Sequence, residues 1–389
     1  MNPTESKINL IKSYLFCHYF AFYVVELLGA LLLMPWCVSL LATEAKPLPL
    51  SRIMVAVDGK SFADEAGAAF TPWGVNYDHD ADGRLLEDYW TDEWPTVEAD
   101  FREIRKLGCN VVRIHLQLGR FMTSPTQSNA SNLNRLADLL KLAERERLYL
   151  DLTGLGCYHR ADVPSWYTDL DEVSRWNVQA EFWKAIAVTC KESSVVFCYD
   201  LMNEPIVPGK KVETDWLTGE LAGKTFVQRI SLDLAGRSGE DVARAWIQRL
   251  TATIREVDPG RLITVGAIPW AYAFPGAKPL FYSPGVGDDL DFVSVHFYPK
   301  ADDAAGALKA LRVYDVGKPI VIEEMFPLLC SVDVMAEFIE LSKPVASGWI
   351  SFYWGKTALE LRQKNDLPAV VTATWLEWMT SNSPATSNE

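Results

Sequence analysis

Residues 195–205 read VVFCYDLMNEP, and this stretch decides the fold that we expect for the chain. Its first five residues form a short apolar run, which is typical of a strand buried on both faces of a parallel sheet. Pro205 has no backbone N–H and disfavours helical geometry at Glu204, so the strand should end there. Barrel enzymes carry their catalytic groups at the carboxyl ends of such strands. Asn203 and Glu204 are therefore candidate site residues.

A second apolar stretch ends in carboxylates in the same way. Residues 318–326 read KPIVIEEMF, and the run closes on Glu323 and Glu324. Side chains alternate across a strand, so these two carboxylates should not both point into one mouth. Two carboxylates on separate strand ends are what glycoside hydrolysis requires, one as acid and the other as nucleophile or base.

Strand-like and helix-like segments alternate along most of the chain. The predicted strands cover residues 70–77, 110–117, 149–155, 195–202, 262–267, 292–298, 319–324 and 348–354, and the predicted helices cover 95–107, 132–148, 174–190, 241–257, 304–311 and 334–341. Eight strands with helices between them predict an α/β fold, a (β/α)8 TIM barrel in a single domain over residues 46–379. A doubly wound open sheet is the alternative, and the absence of a GxGxxG motif after the first strand disfavours it.

Polar and aromatic residues stand near the ends of several other predicted strands. The second strand carries Arg113 and His115, the sixth carries His296 and Tyr298, and the eighth ends at Trp354. In a barrel these strand ends share one mouth. An arginine there can keep a neighbouring carboxylate ionised, a phenol can hydrogen-bond the same carboxylate, and an indole can present an apolar ring to a sugar.

Taken together, these motifs resemble glycoside hydrolase family 5, the cellulase-like branch of the clan A retaining glycosidases. The resemblance rests on Asn-Glu-Pro after the fourth strand, His-x-Tyr in the sixth, Glu ending the seventh and Trp ending the eighth. It implies hydrolysis of β-linked glycans, as by cellulases and mannanases, through double displacement and without a cofactor or metal. The roles that it implies are acid/base for Glu204, nucleophile for Glu324, 2-hydroxyl binding for Asn203, orientation of these groups for Arg113, His296 and Tyr298, and a sugar platform for Trp354.

The sequence departs from this family at the third strand. Many members carry a histidine near its end, where this chain has Thr153, while His159 follows only in the loop. We expect His115 to supply a ring from the second strand instead. Two alternatives stay open: a non-catalytic carbohydrate-binding barrel protein at the cell surface, and a metal-dependent barrel hydrolase, which the five scattered histidines disfavour.

Loops at the predicted mouth add further candidates. Residues 78–83 read DHDADG and imitate the start of a calcium loop, but the twelfth position is Tyr89 rather than glutamate. We therefore expect a polar loop rather than a metal site. Trp73 and Trp270 lie nearest to predicted strand ends, so we expect both to bind substrate.

Composition narrows the choice of partners. The 389-residue chain has a formal net charge of -14, which disfavours nucleic acid and is compatible with an oligo- or polysaccharide partner. Beyond residue 45 there are five cysteines without a zinc-binding pattern, and one disulfide pair among them is possible. We expect a monomer.

The N-terminal segment has the pattern of a targeting sequence. Lys7 and Lys12 precede an apolar stretch at residues 14–42, and small residues follow near Ala45. This favours a signal peptide over residues 1–45 and an exported protein, secreted or periplasmic, with a membrane anchor through residues 14–42 as the alternative. At the other end, residues 380–389 have the composition of a disordered tail.

Overall fold

The computed structural model describes residues 49–352, 354–364 and 366–384, and the compact unit begins at Pro49. The predicted signal or anchor segment, residues 1–45, lies outside the described residues. Within the described ranges, no helix is both long enough and apolar enough to cross a membrane.

Sixteen strands occur in the described ranges. In chain order they are β1 (Ile53–Val55), β2 (Phe62–Asp64), β3 (Ala69–Phe70), β4 (Trp73–Asn76), β5 (Val111–Gln117), β6 (Met122–Ser124), β7 (Gln127–Ser128), β8 (Tyr149–Gly156), β9 (Val196–Asn203), β10 (Pro205–Ile206), β11 (Leu217–Leu221), β12 (Lys224–Arg229), β13 (Leu262–Ala267), β14 (Val293–His296), β15 (Ile320–Met325) and β16 (Gly348–Ser351).

Eight of these strands close into a parallel barrel. Their order around it is β4, β5, β8, β9, β13, β14, β15 and β16, with β16 pairing back to β4. Every residue of these eight strands is buried, as expected for strands covered on one face by helices and on the other by the barrel interior. The predicted TIM barrel is confirmed, and the open doubly wound sheet is excluded.

The helices lie between the strands. They are α1 (Leu86–Tyr89), α2 (Trp94–Lys106), α3 (Leu118–Phe121), α4 (Ala130–Glu146), α5 (Ser165–Thr168), α6 (Glu172–Cys190), α7 (Gly239–Val257), α8 (Trp270–Ala273), α9 (Ala304–Leu311), α10 (Val332–Ser342), α11 (Ala358–Arg362) and α12 (Leu367–Ser381), with short 3-10 turns at Arg160–Asp162, Leu280–Tyr282 and Arg312–Tyr314. The long helices begin at side-chain caps, for example Asp171 before α6 and Ser238 before α7.

Aromatic rings close the barrel at the amino ends of its strands. Phe62 of the β1–β2 hairpin packs edge-on against Phe197 and Phe292, with ring centroids 5.2 and 5.3 Å away. Phe197 lies at the start of β9 and Phe292 just before β14. The barrel is therefore plugged at this end, and the opposite end, at the carboxyl ends of the strands, is the mouth.

The C-terminal boundary differs from the prediction. Helix α12 runs to Ser381, and the side chain of Ser383 is buried and donates a hydrogen bond to the carbonyl of Gly108. Residues 380–384 therefore belong to the folded domain, because packing against the barrel outweighs their polar composition. Residues 385–389 lie outside the described residues.

The cysteines that the structure describes are all free thiols. Cys109, Cys157, Cys190 and Cys198 are buried and Cys330 is half-buried. The disulfide left open by the sequence is therefore not formed among these five residues.

Candidate active site

Arg113 is the centre of the polar cluster at the mouth. The guanidinium on β5 is fully buried and donates hydrogen bonds to Glu324 Oε1 at 2.6 Å, Asp200 Oδ2 at 2.8 Å and Asn203 Oδ1 at 3.0 Å. It also donates to Asn76 Oδ1 at 2.8 Å. One planar cation thus fixes four side chains from three other barrel strands, β4, β9 and β15, a geometry that suits the rigid fork of arginine.

Glu204 follows β9 directly and takes an unusual backbone conformation. Its φ is +46°, in the left-handed region, and its N–H donates to the carbonyl of Gly266 at 2.8 Å. A non-glycine residue in this region is strained by about 1–3 kcal/mol, and such strain persists where the surrounding structure holds it. Its carboxylate oxygen Oε1 lies 3.0 Å from His296 Nδ1.

Glu324 lies on the opposite side of the mouth, on β15. Arg113 binds one of its oxygens, and the phenol of Tyr298 donates to the other, Oε2, at 2.8 Å. One oxygen each of Glu204 and Glu324 lies within 4.8 Å of the other. This closeness agrees with the carboxyl separation of about 5–5.5 Å found in retaining glycosidases, rather than the 6.5–9.5 Å of inverting ones.

His296 bridges these two carboxylates. Its Nδ1 is 3.0 Å from Glu204 Oε1 and 3.4 Å from Glu324 Oε2, and its Nε2 is 3.7 Å from Glu323 Oε2. Burial alone would lower the pKa of His296, but the carboxylates of Glu324, Glu204 and Glu323 raise it to about 10. The ring is therefore a buried imidazolium that holds the two mouth carboxylates at a fixed distance.

The nucleophile candidate is subject to opposing influences. Burial raises the pKa of Glu324 above its ordinary value, with a further contribution from Glu204. His296, Arg113 and the Tyr298 phenol act in the other direction and favour the ionised carboxylate. The three donors thus limit the rise that burial causes.

Below the mouth lies a second layer of buried carboxylates. Asp200 accepts hydrogen bonds from Thr153 and from the backbone N–H of Gly266, and burial raises the pKa of Asp200 to about 6. Burial would raise the pKa of Glu323 as well, but Arg113 and His296 lower it to about 2. Glu323 accepts a hydrogen bond from Ser294 and is fully buried, as expected for a structural carboxylate.

A glycine makes room for this cluster. A Cβ atom at Gly266 would lie 2.9 Å from His296 Nε2 and 3.0 Å from both Arg113 Nη2 and Asp200 Oδ2. Any side chain at this position would displace one of these groups.

His115 and Tyr158 form a pair that the sequence did not reveal. The His115 ring is buried, its Nδ1 hydrogen-bonds the phenol of Tyr158, and its Nε2 lies 3.0 Å from Asn76 Oδ1. Burial and the charge of Arg113 lower the pKa of His115 well below its ordinary value, so the ring is neutral. Tyr158 lies two residues beyond β8, the edge at which the family histidine is missing, whereas His159 is partly exposed and 3.9 Å from Asp88.

Three predicted tryptophans have different positions. Trp73 starts β4, at the end of the barrel away from the mouth; it is 3% exposed and packs against Trp378 of α12 with centroids 6.2 Å apart. The expectation that it binds substrate is wrong, because the mouth is formed by the other end of this strand. Trp270 stands at the mouth, is 38% exposed and stacks on Phe274. It borders a cavity of about 260 Å³ that begins at Pro205, next to Glu204.

Trp354 is not an open platform. It is 2% exposed and lies near Asp100 of α2, which covers the outside of the barrel. The ring that contacts Tyr298 is Phe352, with centroids 6.5 Å apart, and Phe352 is also 6.5 Å from Phe226. Phe352 follows β16 directly, since this strand ends at Ser351.

Two groups of three side chains have ligand atoms within 4.8 Å of one another, the spacing of a metal site. They are Asp151, Cys198 and Glu323, and Glu204, His296 and Glu324. In the second group the imidazolium of His296 has no lone pair for a metal ion. In the first, burial and the charge of Glu323 raise the pKa of Asp151 well above its ordinary value.

Comparison with known proteins agrees with this geometry. The family model "Cellulase (glycosyl hydrolase family 5)" matches residues 64–332. The chain belongs to glycosyl hydrolase family 5. This membership makes it a glycosidase. No curated protein matches this family 5 enzyme in sequence.

Solved structures share its fold at low sequence identity. The exo-β-1,4-mannosidase Op5Man5 from Opitutaceae bacterium strain TAV5 matches 86% of this chain with 17% identity and a TM-score of 0.65. This chain spans 63% of the length of that mannosidase. The catalytic domain of Thermobifida fusca endoglucanase Cel5A has 15% identity and a TM-score of 0.56, with coverage of 85% of this chain and 96% of that domain. The β-mannanase of the blue mussel Mytilus edulis has 16% identity and a TM-score of 0.57, with coverage of 86% and 97%.

Proposed function

We propose that this family 5 enzyme hydrolyses β-linked hexose glycans of the cellulose or mannan type by a retaining double displacement. The observation that carries the proposal is the pair Glu204 and Glu324, whose carboxylate oxygens lie within 4.8 Å of each other across the mouth. That spacing leaves room for the anomeric carbon between them and none for a separate attacking water.

The contacts of each carboxylate support separate roles. Glu324 has two donors besides His296, namely Arg113 and Tyr298, which favour an ionised nucleophile. Its oxygen attacks the anomeric carbon while Glu204 gives its proton to the leaving glycosidic oxygen. Glu204 then removes a proton from the water that hydrolyses the glycosyl-enzyme. Asn203 is held by Arg113 and by the carbonyl of Phe226, to which its amide donates at 3.0 Å, and in this position we assign it to the sugar 2-hydroxyl.

Chemical rescue tests the mechanism. The parent should release sugar from at least one of the β-glucans, β-mannans or aryl β-glycosides, and Glu324→Ala should lose this activity by a factor of 10⁴ or more, on the order expected for a lost nucleophile. With an aryl glycoside bearing a good leaving group, azide should restore turnover to Glu204→Ala with formation of a β-glycosyl azide, and to Glu324→Ala with formation of an α-glycosyl azide.

The configuration of the azide product decides the assignment. An α-azide from the Glu204 variant or a β-azide from the Glu324 variant would reverse the two roles. Full activity of Glu324→Ala would exclude this residue as the nucleophile. Asp315→Ala is a matched control, because Asp315 is exposed at a surface salt bridge with Lys60, and it should retain the activity of the parent.

We also propose that the enzyme is exported. The support is the pattern of the first 45 residues, with lysines followed by an apolar stretch and small residues. Expression of the full chain in a bacterial host, followed by N-terminal sequencing of the exported product, tests this. A new N-terminus near Lys46 supports a signal peptide, whereas an uncleaved chain in the membrane fraction supports the anchor.

A further inference from the structure

The loop that follows β4 forms one wall of the mouth. In this loop, residues 78–85, the carboxylate of Asp80 is occupied by the loop itself: it accepts the backbone N–H groups of Asp82 and Arg84, both at 2.9 Å, and the Arg84 side chain at 2.8 Å. Asp80 therefore stabilises the turn and is not available to a ligand. Asp78 has different surroundings.

Asp78 points toward the inside of the mouth. Asn76 hydrogen-bonds Arg113 within the barrel, and the next side chain, Tyr77, packs outside against Phe101 of α2. Alternation along the extended chain returns Asp78 to the inner side, one layer above Asn76. Asp78 is 2% exposed, and its Oδ2 has no hydrogen-bond partner in the described part of the protein. A buried carboxylate oxygen without a partner is costly, so it requires an explanation.

Lys224 approaches the 78–85 loop from the opposite wall of the mouth. It begins β12 in the hairpin formed by β11 and β12, which extends from the end of β9. Lys224 is 6% exposed and forms no ion pair with any residue that the structure describes. A Cβ atom built on Gly83 would lie 3.1 Å from its Nζ, so the ammonium lies against the 78–85 loop. The absence of a side chain at Gly83 keeps the space in front of the ammonium open.

Aromatic rings connect this place to the catalytic carboxylates. Phe226 is two residues beyond Lys224 and therefore on the same face of β12. Its ring is 4.8 Å from Tyr158 and 6.5 Å from Phe352, and Phe352 is 6.5 Å from Tyr298, which binds Glu324. The sugar that becomes bonded to Glu324 is the glycone. Rings and polar groups around Tyr298 therefore border the glycone side of the substrate.

We propose that Asp78 and Lys224 bind the hydroxyl groups of the glycone sugar, and that this pair selects a neutral β-linked hexose. This inference rests on the proposed function. A carboxylate accepts hydrogen bonds from two hydroxyl groups, and an ammonium donates hydrogen bonds to hydroxyl oxygens. An anion and a cation on opposite walls can therefore hydrogen-bond several hydroxyl groups along one edge of a sugar. Among the described residues, Oδ2 of Asp78 has no hydrogen-bond partner, its Oδ1 has only His79 Nε2 at 3.8 Å, and Lys224 forms no ion pair, so a bound sugar supplies hydrogen bonds that both groups lack.

Binding to an inactive enzyme tests this pair without requiring hydrolysis. We would use full-length Glu324→Gln and measure the affinity of cellotetraose and mannotetraose by calorimetry. Adding Asp78→Asn or Lys224→Met should weaken binding of the preferred tetraose at least tenfold. Asp82→Asn, in the same loop as Asp78, and Lys210→Met, in the segment between β10 and β11, replace exposed residues and should change it less than twofold.

Thermal unfolding separates ligand binding from a structural role. Because Asp78→Asn and Lys224→Met remove charged groups that form no hydrogen bond with a described residue, each variant should unfold at the same temperature as its parent or higher. Weaker binding with unchanged or raised stability supports the proposal. Unchanged affinity would overturn it, and so would a loss of affinity that accompanies a matching loss of stability.

The outcomes also distinguish this proposal from the catalytic one. If the parent binds a tetraose through Asp78 and Lys224 but hydrolyses no glycan, the glycone site stands and the proposed reaction fails. If the parent hydrolyses a glycan but the inactive enzyme binds neither tetraose, the proposed reaction stands and the neutral-hexose pair is refuted.

Discussion

The hydrogen bond from Tyr298 to Glu324 offers the sharpest test of how the mouth controls its carboxylates. Tyr298→Phe removes the phenol oxygen that lies 2.8 Å from Glu324 Oε2 and keeps the ring that packs near Phe352. A hydrogen bond to a charged group contributes about 1.5–3 kcal/mol. At about 1.4 kcal/mol per pKa unit, this loss raises the pKa of the Glu324 carboxyl by about 1–2 units.

The expected result follows from the sign of this change. Tyr298 favours the ionised form of Glu324, so its removal favours the protonated form. Only the ionised carboxylate attacks the sugar, and the acidic limb of the kcat/KM profile should therefore move to higher pH by about 1–2 units. At pH values above that limb, kcat/KM of the variant should be about 10- to 100-fold lower than that of the parent, because Glu324 also loses the group that orients it.

The assay is the pH dependence of kcat/KM on an aryl β-glycoside, with Tyr149→Phe as the control. Tyr149 donates a hydrogen bond to the carbonyl of Ser51 at 2.7 Å and lies at the start of β8, at the end of the barrel away from the mouth. The control should keep the parent profile. An unmoved acidic limb in Tyr298→Phe, or an equal shift in Tyr149→Phe, would refute this account of Glu324.

Two further predictions concern buried charges. Arg113→Met should lower the free energy of unfolding by about 3–5 kcal/mol in urea titrations, because it leaves the buried Asp200 without its cation and leaves Glu323 and Glu324 with His296 alone. Arg84→Met, at an exposed ion pair, should cost less than about 1 kcal/mol, and equal losses would contradict this reasoning. Burial raises the pKa of Glu87 from 4.5 to about 7, so its contribution to stability is retained below pH 4.5 and lost as the pH rises through 7. Glu87→Gln should therefore stabilise the protein by about 1–3 kcal/mol at pH 8 and should not stabilise it at pH 4. The control Glu220→Gln, at an exposed residue, should not change the stability at either pH. A gain in stability that does not depend on pH would exclude the burial of a charge as its cause.

The sequence predicted the barrel because its strands are buried on both faces. Apolar runs such as residues 195–199 and 318–322 need no partner information to be identified, since parallel barrel strands are hydrophobic along their whole length. The same runs locate their own carboxyl ends, and Asn203, Glu204 and Glu324 stand there. Topology then brings these residues to one mouth.

Other parts of the site depend on contacts that no local pattern encodes. Tyr158 and Phe352 lie in irregular segments just beyond β8 and β16, and their ring directions follow from the turn of the chain after each strand. Lys224 lies in a hairpin inserted after β9, in a segment for which the sequence predicted no strand. Asp78 looked like one of three loop aspartates, and only the structure shows that the Asp80 carboxylate is hydrogen-bonded within the loop while Oδ2 of Asp78 has no hydrogen-bond partner among the described residues.

Proximity in sequence was also misleading at one strand. Trp73 stands three residues from Asn76, close enough to suggest a place at the mouth, yet a strand of four residues is long enough to separate the two ends of the barrel wall. The indole is buried against α12, a helix that the sequence did not predict. An aromatic residue near a strand is therefore informative about binding only once the direction and the end of that strand are known.

The unequal surroundings of the two carboxylates link the fold to the proposed chemistry. Glu324 extends from within β15 and accepts hydrogen bonds from donors on β5 and in the segment after β14. Glu204 lies just past β9, where its own backbone is strained, and among the described residues its carboxylate contacts only His296. A nucleophile must keep its charge and its direction, which a rigid set of donors provides. An acid/base must exchange a proton with a leaving group and then with water, which a carboxylate with a single protein partner is free to do. Arg113 therefore favours different roles for two chemically identical side chains by binding one of them and not the other.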